Sequence, residues 1–263
     1  MLVVGRRRGV TVLALILLVS VFSAACKAPS HEVPFTIAPP TTTAPPVRVL
    51  AQSLDSFANV PPPTKLAIAA LATGGSVHVF SAPGATQPVA TLANPTAEGV
   101  TLAFLAVDRQ GSDWYQVRLP ERPNGSLGWI QASEVQLTPV DHRVEISLGE
   151  RRLRVVDQNE QILYQTNVAV GKPLTPTPMG RFYIDIWMPN PGSPYGAYLL
   201  SIAGFSDALK HFEGGRGQVA MHGWSDTSIM GTAASHGCVR MRNGDISQVA
   251  SLAPVGTPVE IVA

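Results

Sequence analysis

The chain has 263 residues, enough for one large domain or two smaller ones with a proper core. A formal charge of +1 and only 14% charged residues exclude the strong field that a nucleic-acid or other polyanionic partner requires. No repeat at solenoid spacing is present, which excludes a repeat array.

In chain order, the first feature is a targeting segment over residues 1–26. Arg6, Arg7 and Arg8 supply a positive start, and Gly9 to Ala25 carries no charge and many aliphatics. "SAAC" then sets small residues before Cys26, the pattern of an export signal with its cleavage region. The stretch resembles a bacterial lipobox, in which Cys26 would be lipidated and become the new N-terminus. It departs from that motif at Ser23, where a bulky aliphatic is preferred. Plain cleavage and an uncleaved anchor are the alternatives, although the uncharged run is short for a span. All three fates put the rest of the chain outside the cytoplasm. The expected location is the cell envelope, tethered by lipid to the outer face of the cytoplasmic membrane.

Residues 27–63 hold nine prolines, with "APPTTTAPP" and "PPP" among them. Proline lacks a backbone donor and fixes φ, so the segment favours extended polyproline II and reads as a semi-rigid spacer. Val47 to Val60 is apolar enough to dock on a folded surface.

Residues 64–139 read as short strands and turns. "SVHVFS" alternates, "GVTLAFLAVD" is a longer apolar run, and "DWYQVRL" and "LGWIQ" flank the turn signal Asn124-Gly125. This spacing predicts a small β-barrel, with Trp114, Tyr115 and Trp129 as its core. "WYQVRLPERPNGSLGWIQASEV" resembles the C-terminal half of bacterial SH3-like domains. The first half, "VHVFSAPGATQ", lacks their usual signature, so no family ligand site is implied.

Residues 140–263 are again strand-rich: "HRVEISL", "RRLRVVD" and "ILYQTNVAV" carry β-branched residues with partial alternation. Gly/Pro-rich loops such as "GKPLTPTPMG" and "MPNPGSPYG" separate the elements. One helix is predicted from Asn243 to Leu252, begun by an Asp/Asn cap and stopped at Pro254. The fold expected overall is mainly β: a small barrel, then a sandwich-like β domain with few helices.

The chemistry concentrates in "AASHGCVRM", Ala233 to Met241. If Cys26 carries lipid, Cys238 is a lone thiol in an oxidising compartment, either buried and inert or kept for reactivity. Thiol catalysis needs a thiolate, a proton acceptor and donors for an oxyanion. Gly237 lets the chain turn sharply, so the N–H groups of Gly237 and Cys238 could face one point. His222, His236 and Arg240 could favour the thiolate. His236 lies two residues from Cys238, whereas the strand "QVAMHGW" ends at His222-Gly223, with His222 sixteen residues upstream. Spacing alone does not rank the two histidines. His31, His78, His142 and His211 sit in no constellation.

"MHGW" followed by "IMGTAASHGCVRM" resembles the L,D-transpeptidase catalytic domain of the YkuD type, whose signature is H-G, a spacer and S-H-G-C-[VI]-R-[ML]. "GKPLTPTPMGRFYI" and "VEISLGERRLRVV" are similar to that family's upstream segments, so the likeness covers the whole C-terminal region. It implies Cys238 as nucleophile and His222 as proton acceptor and donor, its ring oriented by the Gly223 carbonyl. It also implies an oxyanion hole from the Gly237 and Cys238 N–H groups, a loop shaped by Ser235 and His236, and Arg240 ordering the site or holding a substrate carboxylate. His236 could instead only pin the turn through the backbone, and Arg240 could instead pair with Asp226 or Asp245. The implied substrate is a peptidoglycan stem peptide. The thiolate attacks the carbonyl of the third residue, D-Ala leaves, and a neighbouring amine takes the acyl group. Carbapenems are implied inhibitors, with no cofactor and no metal. Water as acceptor would make an L,D-carboxypeptidase, and a lipoprotein lysine would make a protein-to-wall ligase.

Two readings outside this class stand beside it. His222, His236 and Cys238 could ligate zinc, although no H-E-x-x-H accompanies them. A wall-binding lipoprotein with an inactive domain would make Cys238 dispensable.

Overall fold

The computed structural model describes residues 67–263. Cys26, His31, the proline-dense spacer and the Val47–Val60 stretch lie outside the described residues.

Seven strands come first: β1 (Ala67–Ala72), β2 (Ser76–Val79), β3 (Ala90–Ala93), β4 (Ala103–Gln110), β5 (Trp114–Arg118), β6 (Leu127–Gln131) and β7 (Val135–Val140). Five form an antiparallel sheet in the order β6-β5-β4-β1-β7. β2 and β3 form a hairpin, and Phe80, directly after β2, bridges Trp129 of β6. Ala70, Val77, Val79, Phe104, Val117 and Ile130 fill the core between them. The aromatic residues are distributed differently from the sequence expectation. Side chains alternate across a strand. Val117 and Ile130 therefore take the core phase, with Tyr115 packed against them. Trp114 and Trp129 fall in the opposite phase and are only half-buried. Trp114 packs edge-on against Phe80, with ring centroids 5.1 Å apart.

The remaining elements are β8 (His142–Ser147), β9 (Arg152–Asp157), β10 (Ile162–Asn167), β11 (Val170–Gly171), β12 (Gly180–Pro189), β13 (Tyr198–Phe205), β14 (Gln218–Gly223), β15 (Ala233–Ser235), β16 (Val239–Met241), α1 (Asn243–Leu252) and β17 (Pro258–Val262). Eight strands form one sheet in the order β10-β9-β8-β17-β12-β13-β14-β16, and β11 pairs in parallel with β15. The β17–β8 and β14–β16 pairs are parallel. β12 and β13 are buried over most of their length because both faces are covered. Phe182, Ile184, Leu200 and Ile202 pack with Ile246 and Val249 of α1. Tyr183 and Ala203 point the other way, onto Leu105 of β4, and the Tyr183 hydroxyl donates to the Ala103 carbonyl at 3.1 Å.

α1 begins differently from the sequence expectation. Arg242 occupies the N-cap and no side chain caps the helix. Asp245, in the first turn, accepts from the Tyr164 and Thr166 hydroxyls at 2.8 and 2.7 Å and pairs with Arg242 at 3.5 Å. The two hydroxyls fix the helix to β10, and the acidic charge complements its N-terminus.

A second contact ties the two sheets. The Asn124 side chain accepts from the Phe205 N–H and donates to the Phe205 carbonyl, both at 2.8 Å. Arg122 and Arg216 lie over the Phe205 ring at 4.9 and 5.3 Å. Arg122 also donates to the Arg216 carbonyl at 3.0 Å. The β5–β6 turn thus grips the base of the 206–217 loop, which leads from β13 into β14. Asn124, read from sequence as a turn former, also works as a clamp.

Candidate active site

His222 sits near the end of β14, beside β16. The parallel register pairs Met221 with Val239 and His222 with Arg240. One step back, Cys238 falls beside Ala220. Met221, Val239 and Met241 point into the core. By alternation, Ala220, His222, Cys238 and Arg240 share the opposite face. The structure therefore puts the thiol and the imidazole on adjacent rungs of one ladder.

The imidazole is almost fully buried, with 1% exposure. Its Nδ1 lies 2.8 Å from the Gly223 carbonyl. A carbonyl only accepts, so Nδ1 carries the proton and Nε2 is left with a free lone pair. Tyr195 packs edge-on against the ring at 5.1 Å, and Trp224 lies 5.8 Å away. Gly223 N–H donates to the Tyr195 carbonyl at 3.0 Å, which locks that tyrosine to the strand.

The turn carrying Cys238 is held by hydroxyls. Gly237 adopts φ +125°, a conformation open to glycine. Its N–H donates to Ser235 Oγ at 3.0 Å, and that hydroxyl donates to the Cys238 carbonyl at 2.6 Å. Thr177 completes the clamp: its Oγ1 donates to the Gly237 carbonyl at 2.8 Å and accepts from the Gly171 N–H at 2.9 Å. Two expectations are corrected here. The Gly237 N–H is engaged inside the turn rather than presented to an oxyanion. The turn is pinned by Ser235 and Thr177, not by His236, whose exposed ring lies against Phe212 at 5.4 Å.

Arg240 pairs with neither carboxylate named for it. Asp226 accepts from Ser228, and Asp245 is held by Tyr164, Thr166 and Arg242. The Arg240 guanidinium instead stacks on Trp224, 3.7 Å from the ring centroid, and its buried Nε has no hydrogen-bond partner among the described residues. His78 pairs with Glu134, and His142 Nδ1 donates to the Leu252 carbonyl at 2.8 Å, both away from this face. His211 is exposed on the 206–217 loop.

Burial sets the resting protonation. It pulls His222 down to about 4, against its bond to Gly223, and the Arg240 charge lowers it further. Burial pushes the Cys238 thiol up, opposed by the Ala220 backbone and Arg240. Burial thus opposes the thiolate, while Arg240 and the Ala220 backbone favour it. The arrangement can pass a proton from sulfur to Nε2 as the sulfur attacks an electrophile.

Sequence reasoning missed Thr177, Tyr195, Trp224 and Glu213 as parts of this neighbourhood. Thr177 carried a signal inside "TPTPMG" and Trp224 inside "MHGW". Tyr195 and Glu213 reach in from loops without a motif of their own.

The family model for the L,D-transpeptidase catalytic domain YkuD matches residues 141–261. A Bacillus licheniformis protein carrying the L,D-transpeptidase name YkuD is 34% identical over 170 residues, covering 62% of this chain and 94% of the relative. The crystal structure of an Enterococcus faecium L,D-transpeptidase aligns with 22% identity and a TM-score of 0.36, over 46% of this chain and 50% of that one. This chain therefore spans about half of that enterococcal protein. The E. faecium catalytic domain acylated by ertapenem aligns with 22% identity and a TM-score of 0.37, over 47% of this chain and 98% of that one.

Proposed function

The chain belongs to the L,D-transpeptidase family of the YkuD type, and on that premise we propose that it cross-links peptidoglycan through a cysteine acyl-enzyme. One observation carries the mechanism: Nδ1 of His222 is committed to the Gly223 carbonyl, so a free Nε2 lies on the same face as Cys238.

Cys238 Sγ attacks the carbonyl carbon of the third stem residue while Nε2 takes the thiol proton. The developing oxyanion is met by the Cys238 N–H, since that of Gly237 is engaged. His222 returns its proton to the leaving D-Ala nitrogen, and a thioester remains. An amine of a neighbouring stem then attacks the thioester carbon, its proton passes through His222, and the Cys238 thiol is regenerated. The charge of Arg240, held over Trp224, draws a carboxylate of the stem. Carbapenems acylate the same sulfur.

The first sheet acts as an SH3-like module engaging the wall, and the spacer gives reach from a lipid anchor at Cys26 on the outer face of the cytoplasmic membrane. The test is direct: incubate the purified protein with disaccharide-tetrapeptide and weigh the products. A dimer lacking one D-Ala is expected, absent in Cys238→Ala and in His222→Ala. Dimer persisting in Cys238→Ala would refute the assignment. Monomer lacking D-Ala and no dimer would identify an L,D-carboxypeptidase instead.

A further inference from the structure

The 206–217 loop brings one carboxylate to the mouth of the site that the acylation chemistry does not use. Glu213 is exposed and sits at φ +47°, a conformation a non-glycine residue adopts only when its surroundings hold it there. The holding groups are visible. Phe212 and Gly215 exchange backbone hydrogen bonds of 3.1 and 2.8 Å, making a tight turn with Glu213 at its tip. The Tyr195 hydroxyl donates to Glu213 Oε2 at 2.8 Å. The Tyr195 ring lies edge-on against His222 at 5.1 Å, so one side chain spans from the imidazole to the carboxylate. Phe212 lies against His236, next to the cysteine turn. The loop's base is clamped by Asn124, Arg122 and Arg216.

No cation among the described residues forms an ion pair with Glu213. The nearest site cation, Arg240, is committed to Trp224. The field of Glu213 reaches the chemistry all the same, raising Cys238, His222, Tyr195 and Arg240 alike. A negative charge beside a sulfur that must become anionic gives no help to acylation. It does suit the second half-reaction, whose nucleophile arrives at neutral pH as an ammonium ion.

We propose that Glu213, oriented by Tyr195, is the specificity-determining residue for the acyl acceptor, binding the cationic primary amine of the incoming stem at the mouth of the site. This rests on the transpeptidase reading above and names the partner of its second step. The bound ammonium gives one proton to solvent. The free amine attacks the thioester carbon and the C–S bond breaks. The remaining excess proton on nitrogen passes to His222 Nε2 and then to the Cys238 sulfur. The nitrogen is cationic again once it has attacked, so Glu213 faces a positive charge as the thiolate leaves, and Tyr195 fixes the carboxylate at 2.8 Å from a hydroxyl whose ring packs on His222.

The competing role for Glu213 is a latch that merely closes the loop onto Tyr195. Glu213→Gln separates the two, because the amide oxygen still accepts from Tyr195 while the charge is gone. The full chain is acylated with tetrapeptide donor and offered either a diaminopimelate-bearing tripeptide, whose side-chain amine is an ammonium ion, or hydroxylamine, which is neutral at neutral pH. The readout is the ratio of transfer to hydrolysis, by mass. Glu213→Gln is expected to lower that ratio about tenfold for the cationic acceptor and less than about twofold for hydroxylamine. Glu213→Lys is expected to lower the cationic ratio further, and Tyr195→Phe to lower it about threefold. An unchanged cationic ratio in Glu213→Gln, or an equal fall for both acceptors, overturns the inference. Absence of D-Ala release in the unsubstituted protein would overturn the transpeptidase reading itself, and this inference with it, and is a separate result from either.

Discussion

Replacing Asp185 with asparagine should stabilise the protein at neutral pH and expose a pH dependence that the native residue masks. Asp185 lies in β12 and is 6% exposed. Its Oδ2 accepts from Gln218 Nε2 at 2.6 Å, whereas Oδ1 has no partner among the described residues. Burial pushes its carboxyl up to about 6, with Gln218 and Ser201 opposing and Glu98 adding repulsion. A carboxyl raised in the folded state is a cost when ionised. From the ordinary 3.8 to about 6, that cost is about 3 kcal/mol above pH 6, and it disappears as the folded state binds its proton on acidification. His222 runs oppositely. Its imidazole is lowered from 6.5 to about 4, so the unfolded chain protonates first and stability falls by about 3 kcal/mol as pH drops through that window. The two slopes nearly cancel between pH 6.5 and 4. Asp185→Asn removes one of them. Urea unfolding across this range should show the variant about 2–3 kcal/mol more stable than the native protein at pH 7, converging with it near pH 4. Every other titrating group is common to both proteins and drops out of the difference. Parallel curves, or a variant less stable at pH 7, would refute the assignment of a buried, poorly solvated carboxylate.

Thr177→Val removes a buried hydroxyl from between Gly171 N–H and the Gly237 carbonyl, leaving both unpaired. It should cost about 2–5 kcal/mol in urea unfolding and slow meropenem adduct formation at Cys238, read by intact mass, while Thr177→Ser restores most of both. Asn124→Ala takes both side-chain bonds from Phe205. Hydrogen exchange should report a loss of about 1–3 kcal/mol of protection confined to the 206–217 loop and its flanks. Cys26→Ala should release the protein from the membrane fraction on cell fractionation, while retention there would argue for an uncleaved anchor.

Strand content was legible because alternation is local. "SVHV" and "LGWIQ" each show their buried phase in a few residues. The error over Trp114 and Trp129 came from weighing aromatic content above that phase. Val117 and Ile130 fix which face is inward, and the tryptophans fall on the other. Cys238 and His222 could be singled out because their neighbours in sequence are their neighbours in space, one strand and one turn each. Tyr195, Glu213 and Thr177 could not be ranked the same way. Each reaches the site from a loop whose path is set by distant packing, and Glu213 is placed through a clamp from the first sheet. Ser235 and His236 show a finer limit. Both are polar and adjacent, but the short hydroxyl can satisfy two backbone groups within its own turn, whereas the imidazole is too long to do so and turns outward.

The charges around the site divide in a way that says what controls the chemistry. Arg240 lowers both the thiol and the imidazole, and Glu213 raises both. Transfer of the proton from sulfur to Nε2 depends on the difference between the two groups, so shifts of the same sign largely cancel. Burial does not cancel, because it raises the thiol and lowers the imidazole. Desolvation is therefore the main source of the gap. The gap closes only when negative charge moves off the sulfur as it forms, onto a carbonyl oxygen met by a backbone donor. A thiol so placed stays quiet toward oxidants and solvent, which favour a resting thiolate, and reacts with an acyl donor that accepts the charge as the proton departs.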